Sequence, residues 1–137
     1  MTVRESWFPS HVKDMSQKEC QSLLEGGHVG RIAFVDPDGP VVLPVNYVMV
    51  GGCVVLATAP YSSLARHAAS AAVSFEIDEI DEFTESGWSV LVRGRTSIVE
   101  RHELSGVDLP QPWAEGIRTL VLKISPADIS GRRLIPT

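Results

Sequence analysis

The sequence predicts a mainly β fold, a small antiparallel barrel of about six strands, closed or split, with short peripheral helices. Three observations carry this reading. Between residues 28 and 59, runs of Val, Ile and Phe are separated by DPDG and by GG, the turn signals of consecutive antiparallel hairpins. Alternating or continuous apolar runs return in AVSFEID, WSVLVRGRTSIVE and RTLVLKI. The helical stretches between them are too short to serve as the crossovers of a parallel sheet. Such a sheet must hide an apolar face and two edges, and curling into a barrel does both.

Taken in order, residues 1–14 read as an N-terminal arm. SQKECQSLLEGG is a helix, because Ser16 with Glu19 makes a capping box and Gly26-Gly27 supplies a stop. Three strands in a meander follow at about residues 29–35, 40–50 and 53–59. Pro60 ends the third. SSLARHAAS is a short helix capped by Ser62 or Ser63. AAVSFEID returns to strand, EIDEFTESG reads as an acidic surface loop, and WSVLVRGRTSIVE is the fifth strand, with Gly94 at a bulge or close approach. HELSGVDLPQPWAEG is turn-rich, RTLVLKI a sixth strand, SPADI a short helix, and SGRRLIPT a tail pairing at an edge. No repeat or linker divides the chain, so residues 1–137 are expected to form a single domain.

Composition narrows the function. The chain has 137 residues, 44% hydrophobic and 21% charged, which suits a globular domain. Its formal net charge of -5 provides no basic field for a nucleic-acid backbone. The start lacks the apolar run of a signal peptide, and no stretch is long enough to span a bilayer, so a soluble cytoplasmic protein is expected. Cys20 and Cys53 are isolated, and His11, His28, His67 and His102 are scattered, so no metal site is expected. EIDEIDEFTE lacks the glycine and spacing of a calcium loop and reads as a solvated face.

No GxSxG, HExxH or Walker motif is present, and no catalytic residue stands out. Three stretches carry binding chemistry instead. In TAPYSSLARHA, a strand end brings Thr58 beside Ser62 and Ser63 at a helix start, where free N–H groups and hydroxyls suit a phosphate, with Arg66 one turn on. An ordinary serine N-cap explains the same residues. In PVNYV, Pro44 marks an edge or irregularity, and Asn46 beside Tyr47 offers polar groups inside an apolar strand. In GWSVLVRG, Trp88 and Arg93 share one short ribbon, either as packing with a solvated charge or as the wall of a flat, charged ligand's pocket.

Together with GHVGRIAFV, AVSFEID, PWAEG and ISGRRL, these stretches resemble, in order and spacing, the pyridoxamine 5'-phosphate oxidase-like flavin-binding proteins. The likeness runs from about Leu23 to Leu134. The resemblance implies a six-stranded split barrel and a homodimer with FMN in two grooves at the subunit interface. Pro44, Val45, Asn46 and Tyr47 would line the isoalloxazine ring, and Thr58, Ser62 and Ser63 would sit at the phosphate end. Trp88 and Ser89 would face the flavin from the partner subunit, with Trp113 and Arg118 closing the groove. Relatives commonly carry a lysine where this chain has Ser63. Losing that cation removes a charge-assisted bond of about 1.5–3 kcal/mol, about a tenfold to hundredfold loss of affinity, which Arg66 is positioned in sequence to offset.

The function implied is a flavin-dependent oxidoreductase acting on an unidentified small molecule. Two rivals stand beside it. One is a deazaflavin-dependent reductase, which needs a basic groove, with Arg31, Arg93, Arg95, Arg118, Arg132 and Arg133 as its candidates. The other is a non-catalytic flavin carrier or sensor.

Overall fold

The structure, a computed structural model, describes residues 11–104, 106–109 and 120–136. Among these the elements are β1 (His11–Asp14), α1 (Gln17–Gly26), β2 (Val29–Asp36), β3 (Gly39–Asn46), β4 (Val48–Val50), β5 (Cys53–Thr58), α2 (Ser63–Ala68), β6 (Ala72–Asp81), β7 (Ser86–Val99), a 3-10 turn (Arg101–Leu104) and β8 (Leu120–Ile135). The strands form one antiparallel sheet in the order β3-β2-β6-β7-β8-β5-β4, with β1 added to the C-terminal half of β8. The two ends of this path are not hydrogen-bonded to each other, yet β3 approaches β5 across the gap. The sheet is thus a split barrel, as the sequence predicts.

Strand alternation decides what lies inside. Ile32, Phe34, Val73, Phe75, Ile77, Val90 and Val92 point into the curl and meet Leu24 and Cys20 of α1 and Leu64 and Ala68 of α2. A smaller cluster of Val55, Val99, Leu104 and Val121 packs behind β5 and β8. The capping box of α1 is present, with the Glu19 N–H donating to Ser16 Oγ at 3.1 Å. Ser62 caps α2. The GG between β4 and β5 is a turn that needs its glycines, since Gly51 and Gly52 have φ of 57° and 81°.

Four predictions are corrected. The meander is broken, because β3 pairs only with β2 whereas β4 and β5 pair at the far end of the sheet. Pro40 and Pro44 cannot donate to a ladder, which confines β3 to an edge. The acidic loop begins later than expected, since β6 runs through Asp81 and only residues 82–85 turn. SPADI is strand, not helix: β8 is continuous for 16 residues. A register shift opposite Arg93/Gly94 leaves Ala127 as the extra residue, so Gly94 stands at the bulge. A Cβ on Gly94 would sit 2.2 Å from the Ser125 carbonyl oxygen, which only glycine avoids. Finally, the last four residues of the predicted arm are β1, paired with Arg132–Ile135. Trp113 and Arg118 lie outside the described residues.

Candidate functional site

The strand β7 answers the question of Trp88 and Arg93. They lie five residues apart and therefore on opposite faces. Trp88 shares the inward face with buried Val90 and Val92 and packs half-buried against the core. Arg93 is exposed on the outer face, which it shares with Ser89. Trp88 is opposite Arg133, and Ser89 is opposite Arg132. All four border a cavity of about 550 Å³ at the β6–β7 hairpin end of the sheet, with Ile80 and Asp81 on its β6 side. A second hollow of about 430 Å³ adjoins it and shares Trp88 and Arg133. The Arg133 guanidinium also contacts the Met15 sulfur at 3.6 Å. This end of the molecule therefore combines an aromatic ring, a hydroxyl and two cations with the carboxylates of Asp81, Glu82 and Glu85.

The PVNYV stretch divides between two faces. Pro44 is exposed on the outer face, opposite Arg31. Val45 turns inward against the core. Asn46, half-buried, ends β3 opposite Val29. Tyr47 is fully buried, and its hydroxyl donates to the Leu24 carbonyl at 2.7 Å. Its ring meets Phe75 edge-on at 4.9 Å. Burial, reinforced by the charge of Glu25, pushes the phenol up to about 12. The Val45 and Tyr47 side chains are thus committed to the core, and what these two residues can offer a ligand is backbone.

At the β5–α2 junction, the Thr58 and Ser62 hydroxyls lie 2.9 Å apart, and Ser62 Oγ accepts from the Ala65 N–H at 3.1 Å. Ser62 therefore acts as the N-cap. Two hydroxyls sharing one hydrogen bond leave one proton to donate elsewhere. Ser63 is half-buried at the first helical position and Arg66 is exposed one turn on. None of Thr58, Ser62, Ser63 or Arg66 borders the cavity beside Trp88. Within one chain the predicted phosphate end and the predicted β7 wall are separate.

A polar cluster that the sequence reading missed lies between Pro44 and Ser89 on the outer face. Arg31 Nη1 is 3.1 Å from Glu76 Oε1 and 3.0 Å from Asp78 Oδ2. Glu76 and Asp78 alternate with inward Phe75 and Ile77 on β6, so both carboxylates reach the one guanidinium. Desolvation, together with the hydrogen bond and charge of Asp78, raises the Glu76 carboxyl to about 7 against the opposing pull of Arg31. The available signal was FEID with GRIAF: alternating charges on neighbouring strands read as a cross-strand clamp.

The comparisons with known proteins agree with this architecture. The family model for pyridoxamine 5'-phosphate oxidase matches residues 16–133. An uncharacterized protein of Mycobacterium tuberculosis is 30% identical over 131 residues, covering 90% of this chain and 86% of that one. The solved structure of an FAD binding protein from Mycobacterium smegmatis is also 30% identical, with a TM-score of 0.71 over 90% of this chain and 99% of that one. An FAD-binding protein from Mesorhizobium loti, at 22% identity, shares the fold with a TM-score of 0.71 over 89% of this chain and 97% of that one. No described helix is long and apolar enough to cross a membrane. The chain belongs to the pyridoxamine 5'-phosphate oxidase family.

Proposed function

We propose that this protein binds a flavin between two copies of itself and uses it in an oxidoreductase reaction on a small molecule. The observation that carries the reading is the family membership joined to a solved relative, at 30% identity, that binds FAD. The residues fit such a ligand. The cavity beside Trp88 has the size of a small-molecule site, with an apolar wall and a few convergent polar groups. Ser89 and Arg132, facing each other across β7 and β8, suit the polar edge of a flat ring. In the dimer this wall meets the Thr58–Ser62 hydroxyl pair of the other copy, which supplies a donor for the phosphate end. That pairing explains why the two halves are separate within one chain.

Bound flavin would supply the hydride and electron transfer. The chain's own residues orient and shield it. Trp88, Ile80 and Leu134 keep water from one side of the cavity, while Arg132 and Arg133 on β8 set two cations against the carboxylates of Asp81, Glu82 and Glu85 on its other side. Arg66 stands in for the cation that Ser63 lacks. Arg66→Ala is expected to weaken flavin binding about tenfold while leaving the melting temperature of the ligand-free protein unchanged. Equal affinity in both proteins would remove Arg66 from the phosphate end. The deazaflavin alternative requires one continuous basic groove. Here Arg31 is held by two carboxylates, Arg93 and Arg95 line one groove, and Arg132 and Arg133 line another.

The test is a titration of the colourless protein with FMN, FAD and the deazaflavin coenzyme, followed by visible absorption and flavin fluorescence. Saturation near one FMN or FAD per chain supports the reading. Binding of the deazaflavin alone, or of none of the three, overturns it.

A further inference from the structure

The β6–β7 hairpin carries complementary features at its two ends. At the turn, Phe83 is 96% exposed, the most exposed large apolar side chain among the described residues. The Asp81 carboxylate accepts from the Phe83 and Thr84 N–H groups at 3.0 and 3.2 Å, which fixes the turn that presents the ring. Exposed Glu82 and Glu85 flank it with negative charge. At the other end, exposed Arg93 and Arg95 border a groove of about 520 Å³ on the outer face. Its floor carries small side chains, Ala33 and Ser74, and its far side is Val35 and Pro40. Among the described residues neither arginine makes an ion pair.

An apolar ring between carboxylates matches an apolar floor beside guanidiniums in both shape and charge. Aromatic side chains and arginines are also the residues that protein interfaces favour. The two features cannot meet within one chain. Ser74 at the groove and Asp81 at the turn lie seven residues apart on β6, about 23 Å at the rise of a strand. A second copy, turned end for end, brings its tip to the groove of the first. The match then occurs twice, as a two-fold dimer requires.

We propose that the acidic tip around Phe83 of one copy docks in the Arg93–Arg95 groove of the other, and reciprocally, as the contact that holds the dimer together. This rests on the two-copy flavin reading above and names the surfaces that join the copies. Reciprocal docking sets the two β7 strands antiparallel on their outer faces. The tip end of each hairpin lies beside the base end of the other. That base end is tied to α2 through the Thr96 hydroxyl, which binds the Ala68 carbonyl and the Ala71 N–H. The Trp88 end of one copy is thereby carried towards the helix of the other that Ser62 caps.

The dimer dissociation constant would be measured by sedimentation velocity over a dilution series of the full-length protein, with and without FMN, and of two surface variants. Glu82→Arg/Glu85→Arg makes the tip basic, and Arg93→Glu/Arg95→Glu makes the groove acidic. Each variant alone sets like charges together at both contacts, and its dissociation constant should rise at least about a hundredfold. In an equimolar mixture every basic tip finds an acidic groove and every acidic tip a basic one. The mixture should therefore dimerise about as tightly as the unaltered protein. Phe83→Ser, which leaves every charge in place, should weaken the dimer about tenfold. Near-ultraviolet circular dichroism establishes equal folding of all forms. Undiminished dimers of both charge variants overturn the inference and leave the flavin reading standing, with its interface elsewhere. Weak association of both variants and of their mixture overturns it too, since tip and groove then do not face each other. An unaltered protein that stays monomeric with FMN gives the groove to a different acidic partner, and it overturns the inference together with the shared site. The expected exchange in a protein that binds neither FMN nor FAD supports the docking and defeats the flavin reading alone.

Discussion

Trp88 and Arg93 show how strand parity turns a suggestive pair of residues into two separate roles. Each is visible in GWSVLVRG, but which face each takes depends on the register with β6 and β8. Trp88 serves two ends at once, since one part of its ring packs on the core while another borders the cavity. Trp88→Ala is therefore expected to cost about 2 kcal/mol in urea denaturation, below the range for a fully buried ring, and also to weaken flavin binding. Arg93→Ala, on the exposed face, should change stability by less than about 0.5 kcal/mol. Finding a stability loss at Trp88 with flavin affinity intact would reduce it to packing.

Glu76 gives a second prediction at this scale. Its carboxyl is raised from the ordinary value of 4.5 to about 7, so the proton is bound more tightly in the folded protein. The stability this contributes is complete below the unfolded value and is lost as pH rises through the folded one. Gln keeps the neutral form at every pH. The melting temperature of Glu76→Gln relative to the unaltered protein should therefore rise between pH 5 and about 7.5 and level off above it. A difference that does not vary with pH would show that Glu76 titrates normally.

Among the elements, those written in local chemistry were legible. The Ser16–Glu19 capping box, the Ser62 cap and the GG turn each depend on contacts within a few residues, and all three stand. What the sequence concealed depends on distant partners. SPADI resembles a helix start because Pro is favoured at the first helical position, yet β7 holds these residues in a ladder through the bulge at Ala127. The residues EIDEID look like loop because they are acidic, yet pairing with β7 keeps them extended as far as Asp81. The break in the meander arises at Tyr47, whose burial under α1 carries the chain across to the other end of the sheet.

Attachment of α2 to β7 is likewise long-range. The Thr96 hydroxyl, buried, donates to the Ala68 carbonyl and accepts from the Ala71 N–H at 2.9 Å. Thr96→Val keeps the shape and strands both backbone groups, so a loss of about 2 kcal/mol is expected in denaturant unfolding. Thr96→Ser, which keeps the hydroxyl, should lose less. Equal losses would mean that the methyl group, not the hydrogen bonds, holds the helix.

At the scale of the whole molecule, a single chain presents two separate halves of the proposed site. The hydroxyl pair of Thr58 and Ser62 lies at one place, and the Trp88–Ser89 wall with Arg132 and Arg133 at another. Thr58 with Ser62, and Trp88 with Ser89, each stand within one short motif, whereas Arg132 and Arg133 reach Trp88 and Ser89 only through the β7–β8 register. The joining of the halves in the proposed dimer came only from the family resemblance, since no spacing along one chain encodes a contact with a second copy. The outer face is consistent with such a partner: Val35 and Val42 are 67% and 60% exposed on the β2–β3 edge, beside Pro40 and Pro44. A two-fold dimer would use the same patch on both copies and create two equal sites.

Mixing two defective proteins tests this central claim most directly. Ser63→Glu places a carboxylate at the phosphate end, and Ser89→Phe blocks the ring wall; each variant alone should bind little flavin. After subunit exchange, a mixed dimer combines the intact hydroxyl end of one copy with the intact wall of the other. Random exchange of equal amounts should then restore flavin binding at about a quarter of all sites, read as bound flavin absorbance. Complete exchange with no recovery of bound flavin would contradict a site shared between two copies.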